Sequence, residues 1–130
     1  MENLLTGQIT VLNPLLTSNS DSAAINTTAT ATVAQMVSGV ITSTSASAVT
    51  ITTPTATKIA ASLGVTKDSY YDFVVDNTSG ANTVTVALDA SITASSAVTG
   101  GTTLTVTSGH AGIFRIYFYS ATAAQISRIA

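Results

Sequence analysis

Threonine alternates with valine or leucine through much of the second half of the chain. Clear examples are residues 82–88, Asn-Thr-Val-Thr-Val-Ala-Leu, and residues 102–107, Thr-Thr-Leu-Thr-Val-Thr. Successive side chains of a β-strand point to opposite faces, so this period of two puts apolar groups on one face and hydroxyl groups on the other. The pattern predicts a sheet protein whose outer faces carry hydroxyls in place of charges.

Charged residues make up only 8% of the 130 residues, whereas an average soluble domain is about 25% charged. Such a chain is typical of a membrane protein or of a subunit whose surface is covered in an assembly. A membrane helix needs a run of about 20 apolar residues, and Thr, Ser and Asn interrupt every stretch of this chain. We therefore expect an assembly subunit and no membrane partner.

The basic side chains are few and scattered along the chain: Lys58, Lys67, Arg115 and Arg128, with a net charge of −2. Nucleic-acid binding requires several clustered cations, so we expect no nucleic-acid partner. The chain has no cysteine, which excludes disulfides and cysteine-ligated zinc. The first residues lack the basic and apolar segments of a secretory signal, so we do not expect export by that route.

Residues 1–28 differ in character from the rest and are interpreted as an extended amino-terminal arm, followed by a β-sandwich domain over residues 29–130. Pro14 interrupts any strand ladder within the arm. The arm either docks on a neighbouring subunit or forms a first strand on the domain's own sheet. Its candidate contact residues are Leu4, Leu5, Ile9, Leu12, Leu15 and Leu16.

Two short helices are predicted within the domain, each ended by a glycine. The first lies between a capping Thr30 and Gly39, and the second between a capping Thr53 and Gly64. Hairpins are predicted at two places, joining residues 40–44 to 48–52 and residues 69–76 to 82–88. Residues 113–119 form the most apolar strand, which we expect at the centre of its sheet.

These elements together predict a mainly β fold, an antiparallel sandwich or a jelly-roll-like barrel with one or two short helices. The alternation also assigns faces within the strands. Phe114, Ile116 and Phe118 share the core side of their strand, while Arg115, Tyr117 and Tyr119 face outward. Tyrosine beside arginine is typical of interface composition, so we take these last three as candidate subunit or shell contacts. A ligand site is the alternative.

No pattern of residues predicts catalysis. His110 is the only histidine, and the Gly-x-Ser-x-Gly turn of a serine nucleophile is absent. Asp72 and Asp76 are about 13 Å apart along one strand, too far to share a proton or a metal ion. We expect both aspartates to keep an outer face wet and to pair across strands with Arg115. We therefore expect neither an enzyme nor a cofactor, with calcium held by a loop aspartate and backbone carbonyls as an open alternative.

Three segments carry a resemblance to a known group of proteins. They are residues 39–45, Gly-Val-Ile-Thr-Ser-Thr-Ser; residues 71–86, Tyr-Asp-Phe-Val-Val-Asp-Asn-Thr-Ser-Gly-Ala-Asn-Thr-Val-Thr-Val; and residues 114–124, Phe-Arg-Ile-Tyr-Phe-Tyr-Ser-Ala-Thr-Ala-Ala. Over roughly residues 29–130 the chain resembles the small Ala/Thr/Val-rich proteins encoded among the structural genes of tailed bacteriophages. The resemblance implies an auxiliary head protein, either a decoration (cement) subunit or the base of a head fibre.

The resemblance further implies homotrimers seated on the capsid exterior, with the arm against the shell and the major capsid protein as partner. It carries over no functional residues. The expected function is that of a structural virion protein, which stabilises the mature shell by binding only that state. The alternative is a receptor- or glycan-binding module of a phage fibre or a surface adhesin.

Overall fold

The computed structural model describes residues 23–95 and 104–130, and within these ranges it is mainly β. The strands are β1 Ala23–Ala24, β2 Ala29–Thr30, β3 Val40–Thr42, β4 Val49–Thr52, β5 Ser69–Asn77, β6 Val84–Ala87, β7 Ile92–Ala94, β8 Thr105–Val106, β9 His110–Phe118 and β10 Ala124–Arg128. The helices are α1 Val33–Val37 and α2 Ala56–Leu63. The candidate contacts Leu4, Leu5, Ile9, Leu12, Leu15 and Leu16 lie outside the described residues, so their role stays a prediction.

The strands form two sheets with mixed directions. The six-stranded sheet has the order β1-β3-β5-β9-β10-β7 and the four-stranded sheet the order β2-β4-β6-β8. Among the described strands, five of the eight pairings are parallel and three are antiparallel. The expectation of antiparallel sheets is therefore wrong, while that of a mainly β fold with two short helices is confirmed.

The parallel pairings arise because the first part of the chain winds as a coil. β1, β3 and β5 lie side by side in one sheet, and β2, β4 and β6 lie side by side in the other. Each turn of the coil thus adds one strand to each sheet. The register aligns aliphatic residues across neighbouring strands. Ile41 pairs with both Ala23 and Val75, and Ile51 pairs with both Ala29 and Val86.

Both predicted hairpins are wrong, because β3 and β4 belong to different sheets and so do β5 and β6. Side-chain hydrogen bonds stabilise the corners where the chain crosses from one sheet to the other. The Asn26 Oδ1 accepts the Thr44 N–H at 2.8 Å, and the Asn77 Nδ2 donates to the Asn82 carbonyl at 2.7 Å. These bonds satisfy polar groups that a two-residue hairpin turn would have paired by itself.

The inward side chains of both sheets form one hydrophobic core. Phe73 and Phe114, on neighbouring strands β5 and β9, stack with ring centroids 5.4 Å apart. Phe114, Ile116 and Phe118 are fully buried, as the alternation predicts, and β9 lies between β5 and β10 in the interior of its sheet. The prediction of a central strand over residues 113–119 is confirmed.

The helices end where predicted but begin two residues later. α1 is capped by Thr32, whose Oγ1 accepts the Gln35 N–H at 3.1 Å while the Gln35 side chain accepts the Thr32 N–H. α2 is capped by Thr55 and ends at Gly64, which has a φ of +68°. Among the described residues, no helix has both the length and the apolar character needed to cross a membrane.

The second predicted cap, Thr53, has a different role. It is buried, and its Oγ1 accepts the Asp89 N–H at 3.0 Å, which ties β4 to the segment after β6. Because Pro54 follows it, Thr53 is also held in an extended conformation that continues β4.

Candidate interaction surface

The outward side chains of β3, β5, β9 and β10 make a continuous surface, which we call the outer face of the six-stranded sheet. The strand register arranges this face in three rows that cross the strands. The aromatic row consists of Tyr70, Tyr117 and Gln125, the ionic row of Asp72, Arg115 and Ser127, and the apolar row of Val40, Val74 and Ile113. The ionic row lies between the other two.

The ionic row contains a bidentate ion pair. The Arg115 Nε and Nη2 donate to the two carboxylate oxygens of Asp72 at 2.8 and 2.9 Å. The guanidinium carbon also lies 4.0 Å from the ring centroid of Tyr70, a cation–π distance. Each charged group is therefore paired within the chain, although the side chains of Arg115 and Asp72 are 40% and 38% exposed.

The predicted pairing of Arg115 with Asp72 is confirmed, whereas its pairing with Asp76 is wrong. The register places Asp76 opposite Ala111, four positions along β9 from Arg115. The Asp76 Oδ1 instead accepts the Thr78 N–H at 2.9 Å and the Thr78 O–H at 2.6 Å. These hydrogen bonds lower the pKa of the Asp76 carboxyl.

The aromatic row continues onto Tyr119. The Tyr117 hydroxyl donates to the Asp68 Oδ1 at 2.8 Å, which raises the pKa of Tyr117, and its ring meets that of Tyr119 edge-on at 5.1 Å. Tyr70 and Tyr119 are 59% and 46% exposed. The structure thus brings the predicted Arg115, Tyr117 and Tyr119 together on one face. Tyr70, two residues before Asp72 on β5, lies on the same face.

The apolar row was not predicted as a contact. Val74 lies between Val40 and Ile113 in the register, and Ile113 is 37% exposed. The nearby Ile129 is 47% exposed, and its N–H donates to the Ile113 carbonyl at 2.9 Å. β-Branched apolar side chains therefore cross the sheet on the side away from the core.

The outer face of the four-stranded sheet has a different chemistry. Thr50, Thr85 and Thr105 are aligned across β4, β6 and β8, and Thr52 lies beside Ala87. This is the hydroxyl-covered face that the alternation predicts. We call it the threonine face, and its residues provide control positions for tests of the outer face of the six-stranded sheet.

Two further polar groups of the described residues, His110 and Asp76, lie outside the three rows. His110 is the exposed first residue of β9, with its Nδ1 2.9 Å from the Ser108 carbonyl oxygen and 3.1 Å from the Thr107 Oγ1. A shallow groove at the corner after β3 and β5 contains one carboxylate, that of Asp76, among serine and threonine residues. Within residues 23–95 and 104–130, no three or more His, Cys, Asp or Glu side chains are grouped to hold a metal ion.

Acid is expected to weaken the ionic row. The hydrogen bond from Arg115 lowers the pKa of Asp72 below its usual value of 3.8, so this carboxylate stabilises the folded state above that pH and loses the contribution as the pH falls through its folded-state pKa. Asp72→Asn should make the midpoint of urea unfolding less sensitive to pH between neutral and strongly acidic solution. The effect should be small because the pair is exposed, and an unchanged pH profile in the variant would contradict it.

Comparison of the chain with protein-family models, with curated proteins and with solved structures finds no match. The surface is therefore interpreted from its own chemistry. Its exposed aromatic and apolar rows flank an internally neutralised ion pair. A broad surface of this composition is typical of a contact with another macromolecule.

Proposed function

We propose that the chain is a structural virion protein that binds the outside of a phage capsid shell as a decoration or cement subunit and stabilises the shell. The carrying observation is the outer face of the six-stranded sheet, where exposed tyrosine and isoleucine side chains surround the Asp72–Arg115 pair. Enrichment in Tyr and Arg with depletion of Lys is typical of the core of protein interfaces. The proposed partners are further copies, as a homotrimer, and the major capsid protein.

The fold supports a structural role. Buried side chains of both sheets belong to one cluster, and on that ground we propose that the sheets pack face to face as a sandwich. The coil of parallel strands distinguishes this sandwich from an antiparallel jelly roll. The low charge supports assembly as well, because identical neighbours with 8% charged residues approach each other without strong repulsion.

Binding to the capsid is the property that tests the proposal. Purified protein is expected to co-sediment with mature empty capsids of the phage that encodes it, and to raise their melting temperature. Binding that occurs only on the mature lattice stabilises that lattice by mass action. Ile113→Lys should weaken co-sedimentation, because a charge in the apolar row separates the copies that bind the shell together, whereas Thr85→Lys on the threonine face should retain it. Failure of the wild-type protein to bind capsids at micromolar concentration would contradict the proposal.

A receptor- or glycan-binding module is the second candidate. The exposed rings of Tyr70 and Tyr119 favour it, since sugars stack on exposed aromatic side chains. Tyr70 lies within β5 and Tyr119 directly follows β9, so the rings do not form a cluster in loops, which favours the structural role. A glycan array probed with the purified protein separates the two functions, and binding that Tyr70→Ser abolishes would support this second candidate over the first.

A further inference from the structure

We propose that the outer face of the six-stranded sheet is the contact between copies of this chain, and that equivalent faces meet around a symmetry axis. The inference rests on the proposed assembly role and deepens it by naming a second copy as the occupant of this face. The remaining surface of the domain is then available to contact the shell.

Charge is the first argument. At a symmetry axis each group approaches its own copies, so an unpaired charge meets a like charge and is repelled. Asp72 and Arg115 neutralise each other inside one chain through two hydrogen bonds. The centre of the face therefore presents no net charge to another copy, although two ionic groups lie within it.

The position of the remaining carboxylates indicates where the axis lies. Asp68 accepts a hydrogen bond from Tyr117 and is 3.8 Å from the Lys67 ammonium at the rim. In the part of the chain that the structure describes, Asp76 has no ion pair within 4.0 Å, and it lies beyond the apolar row, opposite Ala111. The axis consequently passes near the apolar and ionic rows, with Asp76 outside the contact.

The size of the face sets the strength of the contact. β3, β5, β9 and β10 have 3, 9, 9 and 5 residues, so with strands about 4.8 Å apart and a rise of about 3.4 Å per residue the face measures roughly 400 Å². A stable interface uses about 800 Å² of each partner. We therefore expect association that depends on protein concentration in solution and becomes firm when a shell holds copies together.

Engineered cysteines test the contact directly, because the chain has none of its own. Ile113→Cys places one thiol in the apolar row, and Thr85→Cys places one at the matching middle-strand position of the threonine face. A short bis-maleimide reagent, followed by denaturing electrophoresis, should give covalent dimers of the Ile113→Cys protein and monomers of the Thr85→Cys protein. Equal cross-linking of the two variants would overturn the proposal, as would no cross-linking of Ile113→Cys at concentrations where light scattering shows oligomers.

Exchanging the charges of Asp72 and Arg115 tests the association of copies independently of folding. Arg115→Asp leaves two carboxylates together on each face and should weaken association at least about tenfold by sedimentation equilibrium. Asp72→Arg combined with Arg115→Asp restores a neutral pair within each chain and should recover most of the association. A monomer at every concentration for the wild-type protein, or an exchange variant no better than Arg115→Asp while circular dichroism shows both folded, would overturn the proposal.

The outcomes distinguish this inference from the proposed function. If copies associate through this face but the protein does not bind capsids, the virion role fails and the contact between copies stands. If the protein binds capsids but Ile113→Cys is never cross-linked at any coverage of the shell, the contact between copies fails and the virion role stands.

Discussion

Replacing Phe114 by alanine is expected to reduce the free energy of unfolding by about 3–5 kcal/mol. Phe114 is fully buried in the central strand β9, and its ring stacks on that of Phe73 at 5.4 Å. Alanine removes this contact and leaves a cavity between the sheets that neighbouring side chains fill only in part. Small domains are stable by about 5–15 kcal/mol, so a large part of the total stability depends on this one ring. Urea unfolding followed by circular dichroism measures the loss.

Two variants of the same strand are the controls for Phe114→Ala. Phe114→Leu keeps most of the buried volume and should lose no more than about half as much. Tyr119→Ala removes an exposed aromatic ring at the end of the strand and should change stability by about 0.5 kcal/mol or less. Equal losses for Phe114→Ala and Tyr119→Ala would show that the core does not lie on the side of β9 described above.

The side of each strand that faces the core could be predicted from the sequence. The period of two assigns Phe114, Ile116 and Phe118 to the interior, and all three are buried. This succeeds because the facing of a side chain depends only on its own strand and on the local alternation. The glycines that end the helices are predictable for a similar reason, since the left-handed conformation at Gly64 is a local property of the chain.

The pairing of strands could not be predicted in the same way. A strand with one buried face shows the same alternation whether its neighbour is parallel or antiparallel, so proximity in sequence suggested hairpins where the chain crosses between sheets. The crossing after β5 is fixed by Asn77, whose Nδ2 donates to the Val106 carbonyl 29 residues away at 3.0 Å. No local pattern contains such a bond.

In the candidate surface, too, the features set by a single strand could be predicted and those set by strand pairing could not. Outward positions of Arg115, Tyr117 and Tyr119 follow from their own strand and were predicted. The apolar row was missed because Val40, Val74 and Ile113 become neighbours only through the order β3-β5-β9, which joins a parallel to an antiparallel pairing. Surfaces that depend on the register of three strands require the fold before they can be recognised.

The corner at Asn77 leads to the second large effect, which is expected for Gly80→Ala. A Cβ at Gly80 would overlap the Asn77 Oδ1 and would lie 3.2 Å from the Ser43 carbonyl oxygen. Asn77 is buried, and its Nδ2 donates to the carbonyls of Asn82 and Val106. The side chain must move to accept the methyl group, which breaks both hydrogen bonds in a buried site. We expect a loss of about 2–4 kcal/mol in the free energy of unfolding, measured by urea unfolding.

Gly109→Ala is the matched control, because a Cβ at that position meets nothing within 4 Å and only the positive φ of +79° opposes it. Its cost should be about 1–2 kcal/mol, from backbone strain alone. A double-mutant cycle then identifies the cause of the Gly80→Ala effect. If the methyl group acts by displacing Asn77, Asn77→Ala should cost much less in the Gly80→Ala protein than in the wild-type protein. Additive losses would mean that Gly80→Ala acts through the backbone of the corner and leaves the Asn77 hydrogen bonds intact.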